Sequence, residues 1–405
     1  FFGDGDDSNA QSFGDDSDEA IIKCGSYTGN ATTREIDVGF EPQWILLKKT
    51  NSTEDWYIID VMRGMAWPPS SSAQAYLRPN LSAAEQGNAD NYPHVTSNGF
   101  RLTFESSTNT SGANYIYVAI RRPMKTPESG TDVFAVDDAA NGLTSGFPVD
   151  WFIRRTFSNS SNYAHTRLCG ETFLTTDSTD AEQASSPSFD NNEGVFAQLN
   201  NSAIYGWMFK RAAGFFDVVA YVADQTSTHA HNLGVTPEFA IIKQRNGTNG
   251  WKVYHSALGN NKYLQLHSTI AAATDTGWAS VNASTFFLKA NNGNNIAYLW
   301  ATVDGVSKVG SYTGTGSDQN IDCGFSSGAR FVLIRRTDST ANWNLFDSVE
   351  QGIVAGNDPH IRLNANTAQE TADDLIDPYS SGFAVTGSNG NVNASGGTYI
   401  FLAIA

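Results

Sequence analysis

The sequence is poor in cysteine, with only Cys24, Cys169 and Cys323 among 405 residues. The three are far apart and odd in number, so neither a disulfide framework nor a cysteine-based metal site is indicated. Cys323 takes the place of Val38 in a repeated phrase, which predicts a small buried apolar role. Cysteine chemistry is therefore not expected to contribute to the function.

Positive charge is also scarce, because 25 Lys and Arg face 42 Asp and Glu and leave a formal net charge of −17. Such a chain repels polyanions, so neither nucleic acid nor an anionic membrane is an expected partner. No apolar run reaches the roughly 18 to 20 residues that a membrane-spanning helix needs. The acidic start, residues 1–19, has no initiator Met and no signal-peptide pattern, and we expect the chain to be cut from a longer one.

Signatures of the common enzyme classes are missing: the sequence has no G-x-S-x-G, H-E-x-x-H, Walker or Rossmann phrase. Its seven histidines are scattered. The paired carboxylates of a glycosidase need only meet in space, so the sequence leaves them open. The acidic residues of the leader could supply oxygen ligands to Ca²⁺, but their spacing is irregular, which favours a solvated linker. We therefore expect no enzymatic activity, no metal and no cofactor, with a structural Ca²⁺ left open.

The sequence does contain a repeat. The phrase GSYTGN, residues 25–30, returns as GSYTGT, residues 310–315, and the phrases that follow return in the same order. Two weaker copies lie between, so the chain consists of four modules of roughly 95 residues. We place module 1 at 20–122, a divergent module 2 at 123–213, module 3 at 214–305 and module 4 at 306–405. Residues 1–19 are a linker or the end of a preceding module.

Within each module the apolar residues come in short runs rich in Val, Ile, Phe, Tyr and Trp, bounded by Gly, Asn, Ser and Thr. Helical periodicity is nearly absent. This pattern predicts an all-β chain of tandem antiparallel β-sandwich modules of jelly-roll or immunoglobulin size.

The last strand of a module is apolar on both faces, as YIYVAI (115–120) and IYGWMF (204–209) illustrate. A sandwich strand normally has one wet face, so these strands are expected to be covered on both sides. The cover could be long loops, a neighbouring module or another subunit.

Two basic residues follow a central strand in every module. They either pair with acidic loops of a neighbouring module or subunit, or guard the strand end against edge pairing. The pairs are Lys48 and Lys49, Arg154 and Arg155, Lys243 and Arg245, and Arg335 and Arg336.

The phrases IDVGFEPQWILLKKT, WYIIDVMRG and NTSGANYIYVAIRR resemble a repeat family from long virion proteins of tailed bacteriophages, especially marine and cyanobacterial ones. These proteins carry such modules in tandem in tail fibres or other appendages, often beside concanavalin-like lectin domains. The resemblance implies a structural role in the virion, with contacts to other virion proteins and host attachment through surface glycans. We expect a homotrimer, because association would cover the doubly apolar strands. The alternatives are a secreted or surface carbohydrate-binding adhesin, a polysaccharide depolymerase and a capsid decoration or head fibre.

Three residues are candidates for ligand contact. Asp60 and Arg63 in DVMRG would suit either a carboxylate–guanidinium pair in a structural turn or a pair that binds a sugar. Trp67 is expected on an exposed loop stiffened by Pro68 and Pro69, where it could stack on a sugar ring, although packing over the sandwich end is the commoner outcome.

Overall fold

The computed structural model describes residues 21–67, 74–88, 93–103, 107–139, 142–156, 158, 160–185, 187–197, 204–348 and 353–405. The acidic leader, Pro68 and Pro69 lie outside this part of the chain. The all-β prediction is confirmed: in the described residues, helix is limited to the 3-10 helices Gly130–Asp132, Arg167–Cys169 and Ser256–Leu258. Two compact units can be distinguished. The first contains Phe1–Met124, Thr166–Thr172 and Val219–Tyr221, and the second contains Lys125–His165, Phe173–Val218 and Val222–Ala405.

Module 1 is a sandwich of a four-stranded sheet, in the order β1-β9-β3-β4, and a three-stranded sheet, β2-β8-β7. The hairpin β5-β6 continues the larger sheet through a bridge between Ile58 and Leu77. The strands are β1 (Ile22–Thr28), β2 (Arg34–Asp37), β3 (Pro42–Lys49), β4 (Trp56–Asp60), β5 (Gln74–Tyr76), β6 (Gln86–Asn88), β7 (His94–Thr96), β8 (Gly99–Leu102) and β9 (Asn114–Arg121).

Module 2 repeats this design in spite of its divergent sequence, with sheets β10-β18-β12-β13-β14-β15 and β11-β17-β16. Its strands are β10 (Phe134–Ala139), β11 (Leu143–Thr144), β12 (Trp151–Arg155), β13 (Tyr163–Thr166), β14 (Thr172–Thr175), β15 (Gln183–Ala184), β16 (Pro187–Ser188), β17 (Gly194–Ala197) and β18 (Ile204–Phe209).

Module 3 has sheets β19-β27-β21-β22-β23-β24 and β20-β26-β25. Its strands are β19 (Phe216–Ala223), β20 (His229–Ala230), β21 (Phe239–Gln244), β22 (Lys252–His255), β23 (Lys262–Gln265), β24 (Ala273–Thr274), β25 (Ala279–Val281), β26 (Thr285–Leu288) and β27 (Gly293–Trp300).

Module 4 has sheets β28-β35-β30-β31-β32 and β29-β34-β33. Its strands are β28 (Ser307–Thr313), β29 (Gln319–Asp322), β30 (Phe331–Arg336), β31 (Asn344–Asp347), β32 (Ile361–Arg362), β33 (Ile376–Tyr379), β34 (Gly382–Val385) and β35 (Thr398–Ile404). In the larger sheet of all four modules, the strand that comes last in the sequence therefore lies between the strand that comes first and the central strand.

Each module has its own core between its two sheets, because residues alternate between the faces of a strand and one face packs inward. In module 4 this core includes Val332, Phe346, Phe383 and Phe401. Cys323 belongs to it, which confirms the predicted buried role, and burial raises the pKa of its thiol to about 12. We call the opposite side of each larger sheet its outer face.

The outer faces of modules 2, 3 and 4 pack against one another in the second compact unit. The ring of Trp151 in module 2 lies 4.9 Å from that of Tyr298 in module 3. Phe331 of module 4 lies 5.1 Å from Phe134 of module 2. Residues of all three modules line the centre: Trp151, Ile153 and Phe209, then Phe239, Ile241 and Trp300, then Phe331, Leu333 and Leu402. We call this three-module arrangement the module ring.

The module ring shows what covers both faces of the doubly apolar last strands in these modules. All six residues of β18 are buried, and so are the last six of β27. Their inner faces pack on the smaller sheet and their outer faces pack on other modules of the same chain. The sequence left three possible covers open: long loops, a neighbouring module or another subunit. In modules 2, 3 and 4 the cover is other modules of the same chain.

Candidate functional site

Three side chains at equivalent positions join the module ring by the same hydrogen bond. Trp251 Nε1 of module 3 donates to the carbonyl of Thr175 in module 2 (2.8 Å), and Trp343 Nε1 of module 4 donates to Gln265 in module 3 (2.9 Å). Asn162 Nδ2 of module 2 donates to Arg362 in module 4 (3.1 Å). Asn162 Nδ2 also donates to Leu363 and Ala365 of module 4. The bonds run in cyclic order, so every module donates to one of the other two modules and accepts from the other.

The equivalence of these residues follows from the backbone. The residue after each acceptor donates its N–H to the carbonyl of the donor residue in its own module: Thr176 to Asn162, Leu266 to Trp251, and Leu363 to Trp343. The same strand pair is thus used in all three modules, once as donor and once as acceptor.

The basic residues that follow the central strands make a second set of cyclic contacts. Arg155 donates to the carbonyl of Thr367 (2.5 Å), Lys243 to Thr179 (3.3 Å) and Arg335 to Ile270 (2.5 Å), each in another module of the ring. Burial lowers the pKa of Lys243 to about 8 and that of Arg335 to about 10. Arg245 also forms an ion pair with Glu182 of module 2 at 2.8 Å. Only Arg245 meets an acidic side chain of another module, as one of the two interpretations of the basic pairs predicted. Arg155, Lys243 and Arg335 meet backbone carbonyls of another module instead.

A third contact uses the residue opposite the start of the central strand. In module 4 this residue is Asp347, paired with Phe331, and it accepts from Tyr205 Oη (2.8 Å) and Trp207 Nε1 (3.0 Å) of module 2. In module 3 the position belongs to His255, and in module 1 to Asp60. The position that Asp60 takes in module 1 is therefore a module-docking position in module 4.

Module 1 has the same outer face, but that face is partly exposed. Ile116 is opposite Lys48 in the sheet, as Ile296 is opposite Lys243 and Ile400 is opposite Arg335. Ile116 is 42% exposed, whereas Ile296 is 0% and Ile400 2% exposed. The other apolar residues of the face are half-buried: Trp44, Leu46, Trp56, Ile58, Val118 and Ile120.

Asp60 and Arg63 meet at one end of this face. Arg63 Nη2 donates to Asp60 Oδ2, and the backbone N–H of Arg63 donates to Asp60 Oδ1 at 2.9 Å. The pair closes the turn after β4 and, with Trp44 and Ile120, lines a shallow groove. The structural turn that the sequence suggested is present, and the charge of Asp60 is compensated within module 1.

Trp67 does not line that groove, and the expectation that it is exposed was wrong. Its side chain is only 2% exposed. The guanidinium of Arg101 lies 4.6 Å from the ring centre, and His94 packs edge-on at 6.3 Å. The Trp67 side chain is buried because the indole gains more from packing on the module than from contact with solvent. Trp67 therefore offers no surface for a sugar ring.

Sequence reasoning did not single out Trp44, Trp56 or Ile120 as functional residues. The signal was present in the apolar outer positions of β3, β4 and β9, but it could not distinguish a covered face from an exposed one. Among the described residues, no cluster of His, Cys, Asp and Glu side chains is placed to hold a metal ion. The described helices are too short to cross a membrane.

The fold and the outer faces define a tandem β-sandwich protein in which modules pack on modules. The family model described as a domain of unknown function, DUF7483, matches residues 16–123 and 208–405, and the chain belongs to this family. The matched segments contain modules 1, 3 and 4, while the unmatched residues correspond to most of the divergent module 2. No curated protein matches the sequence significantly.

Proposed function

We propose that the chain is a structural component of a bacteriophage virion, in a tail fibre or another appendage that meets the host surface. The observation that carries the proposal is the use of one module, four times, with outer faces suited to packing on further modules. In a repeat array, length and stability come from repeated interfaces. The role needs no catalytic group, and its partners are other virion proteins and copies of the same chain.

The contacts in the second compact unit change one part of this expectation. Each module of a simple linear array touches mainly its neighbours, but here module 4 also contacts module 2. The unit is therefore a closed ring of three modules, each in contact with the other two. A closed ring of this kind suits a load-bearing part of an appendage, because the three interfaces must open together.

The adhesin alternative now rests on less, since Trp67 is buried and Asp60 is engaged by Arg63. Location in a capsid decoration or head fibre stays an alternative, because the same modules would serve there.

The decisive experiment locates the protein on purified particles. An antibody raised against the 405-residue chain is expected to label a tail appendage in negatively stained virions, and mass spectrometry is expected to detect the chain in the same preparation. Label on the capsid would favour the decoration alternative. Absence from purified particles, with the chain present in the culture medium, would refute the virion role and favour an adhesin.

A further inference from the structure

We propose that the outer face of module 1 binds the same face of two further copies of this chain and forms a homotrimer that repeats the geometry of the module ring. The inference deepens the structural role proposed above by naming a partner and the surface that holds it. It assigns the association to module 1, because the outer faces of modules 2, 3 and 4 are already covered by one another.

The first support is the chemistry of the face. Outer positions along the central strand are Trp44, Leu46 and Lys48 in module 1. The equivalent residues are Phe239, Ile241 and Lys243 in module 3, and Phe331, Leu333 and Arg335 in module 4. An aromatic, an aliphatic and a basic residue thus recur in the same order. Only in module 1 does this set remain partly exposed.

The second support is that module 1 has both the donor and the acceptor of the hydrogen bond that joins the modules of the ring. Trp56 takes the position of Trp251 and Trp343, and among the described residues its indole N–H has no acceptor. The acceptor in module 3 is Gln265, one residue after Leu264, which pairs with Val253. The same register in module 1 pairs Ile58 with Leu77 and makes Arg78 the equivalent carbonyl. Trp56 of one copy can therefore donate to Arg78 of the next.

The number of copies follows from the form of the interface. In the module ring the donor side of one module meets the acceptor side of the next, and the cycle closes after three. Identical surfaces that join donor to acceptor close into a ring of the same order. A two-fold dimer would instead require each face to meet itself, which none of the three interfaces in the ring does.

Two charges at the face keep hydrogen-bond partners within module 1, which lowers the cost of burying them. Asp60 is neutralised by Arg63 in its own module. Lys48 Nζ already donates to the carbonyls of Lys49 (2.7 Å) and Glu54 (2.6 Å).

The test uses the full chain and one charge substitution on the face. Light scattering and sedimentation at micromolar concentration are expected to give three times the 43.7 kDa mass of one chain. Ile116→Glu places an unpaired carboxylate in the interface and is expected to weaken association by about 100-fold or more. Val235→Glu is the matched control, since Val235 is 40% exposed and lies outside module 1; it is expected to stay trimeric.

A second variant tests the hydrogen bond. Trp56→Phe keeps an aromatic ring but removes the indole donor, so association is expected to weaken by about 5- to 10-fold. Alkylation of Cys24, which shares the face with Val118, provides an independent readout and should slow on assembly. Monomeric or dimeric wild-type protein at 100 µM, or an Ile116→Glu variant that remains a trimer, would overturn the proposal. These measurements need only purified protein, so their failure is separate from failure of the virion assignment.

Discussion

At the scale of single residues, Gly29 and Gly314 show why both copies of the opening phrase have glycine at the fifth position. A Cβ atom added to Gly29 would lie 2.2 Å from the carbonyl oxygen of Thr110, and one added to Gly314 would lie 2.3 Å from that of Ala394. The preceding tyrosines stack on Tyr115 and Tyr399, each at 4.9 Å. The tyrosines are packing residues, and glycine is required because another backbone segment approaches closely.

Another residue-scale feature is the buried ion pair between Arg211 and Asp217, where module 2 leads into module 3. The side chains are 1% and 0% exposed, and Arg211 Nη2 lies 2.6 Å from Asp217 Oδ1. The second oxygen of Asp217 accepts from the backbone of Asn232 at 2.7 Å. The pair fixes the junction because a buried charge must keep its partner.

We predict that Arg211→Met lowers the free energy of unfolding by about 3–5 kcal/mol, since Asp217 would lose its compensating charge. Chemical denaturation followed by tryptophan fluorescence measures the change. Lys125→Met is the control, because the Lys125–Glu128 pair is exposed and contributes little. Equal stability of the Arg211 variant and the wild type would contradict the structural role of the pair.

At the scale of elements, the strands of the larger sheets provide the outer-face side chains that join one module to another. His255 at the end of β22 illustrates this. Burial lowers its pKa to about 4, although the backbone groups of Phe401 and Gly310 in module 4 favour the charged form. Its Nδ1 accepts the N–H of Ala257 at 3.1 Å, which fixes the start of the following 3-10 helix. The strand end therefore docks as a neutral imidazole.

This depressed pKa predicts a specific loss of stability in acid. The unfolded chain binds a proton near pH 6.5 and the folded chain only near pH 4, so stability is present above pH 6.5 and is lost as the pH falls toward 4. The loss assigned to His255 is about 3 kcal/mol. His255→Asn keeps an acceptor for Ala257 but cannot titrate, and denaturation at pH 7 and pH 4 should show that much less pH dependence.

Asp358 provides an internal check on that measurement. Burial raises the pKa of Asp358 to about 6, so ionisation of this carboxyl opposes folding. The stability that the protonated carboxyl contributes is therefore lost as the pH rises from 4 to 6. Because Asp358 is present in both proteins, its effect cancels in the comparison. Identical pH dependence of the two proteins would show that His255 does not sense the interface.

At the scale of the whole molecule, the second compact unit behaves as one object built from three modules. Modules 2, 3 and 4 share a common apolar centre and two sets of cyclic hydrogen bonds. Neither the apolar centre nor these bonds can form within a single module. A substitution that weakens one interface should therefore lower the stability of a module far away in the sequence.

We predict that Asp347→Asn in module 4 destabilises β18 in module 2. Asparagine offers one acceptor oxygen to the two donors of Tyr205 and Trp207, so the expected cost is about 2–4 kcal/mol. Hydrogen exchange of residues 204–209 should accelerate. Asp322→Asn, an isosteric change at an exposed position of the same module, should leave that exchange unaltered. If β18 stays as protected as in the wild type, the modules are energetically independent.

The sequence by itself determined the module and its strands, because alternating apolar residues and turn residues act over short distances. It also marked the last strands and the basic pairs as unusual. Only the tertiary structure decided what these features meet, since contacts such as Trp343 with Gln265 join residues far apart along the chain. Trp67 is a second example of what the sequence could not decide. The sequence around it fits a buried or an exposed tryptophan equally well, and only the packing of the module places the side chain inside.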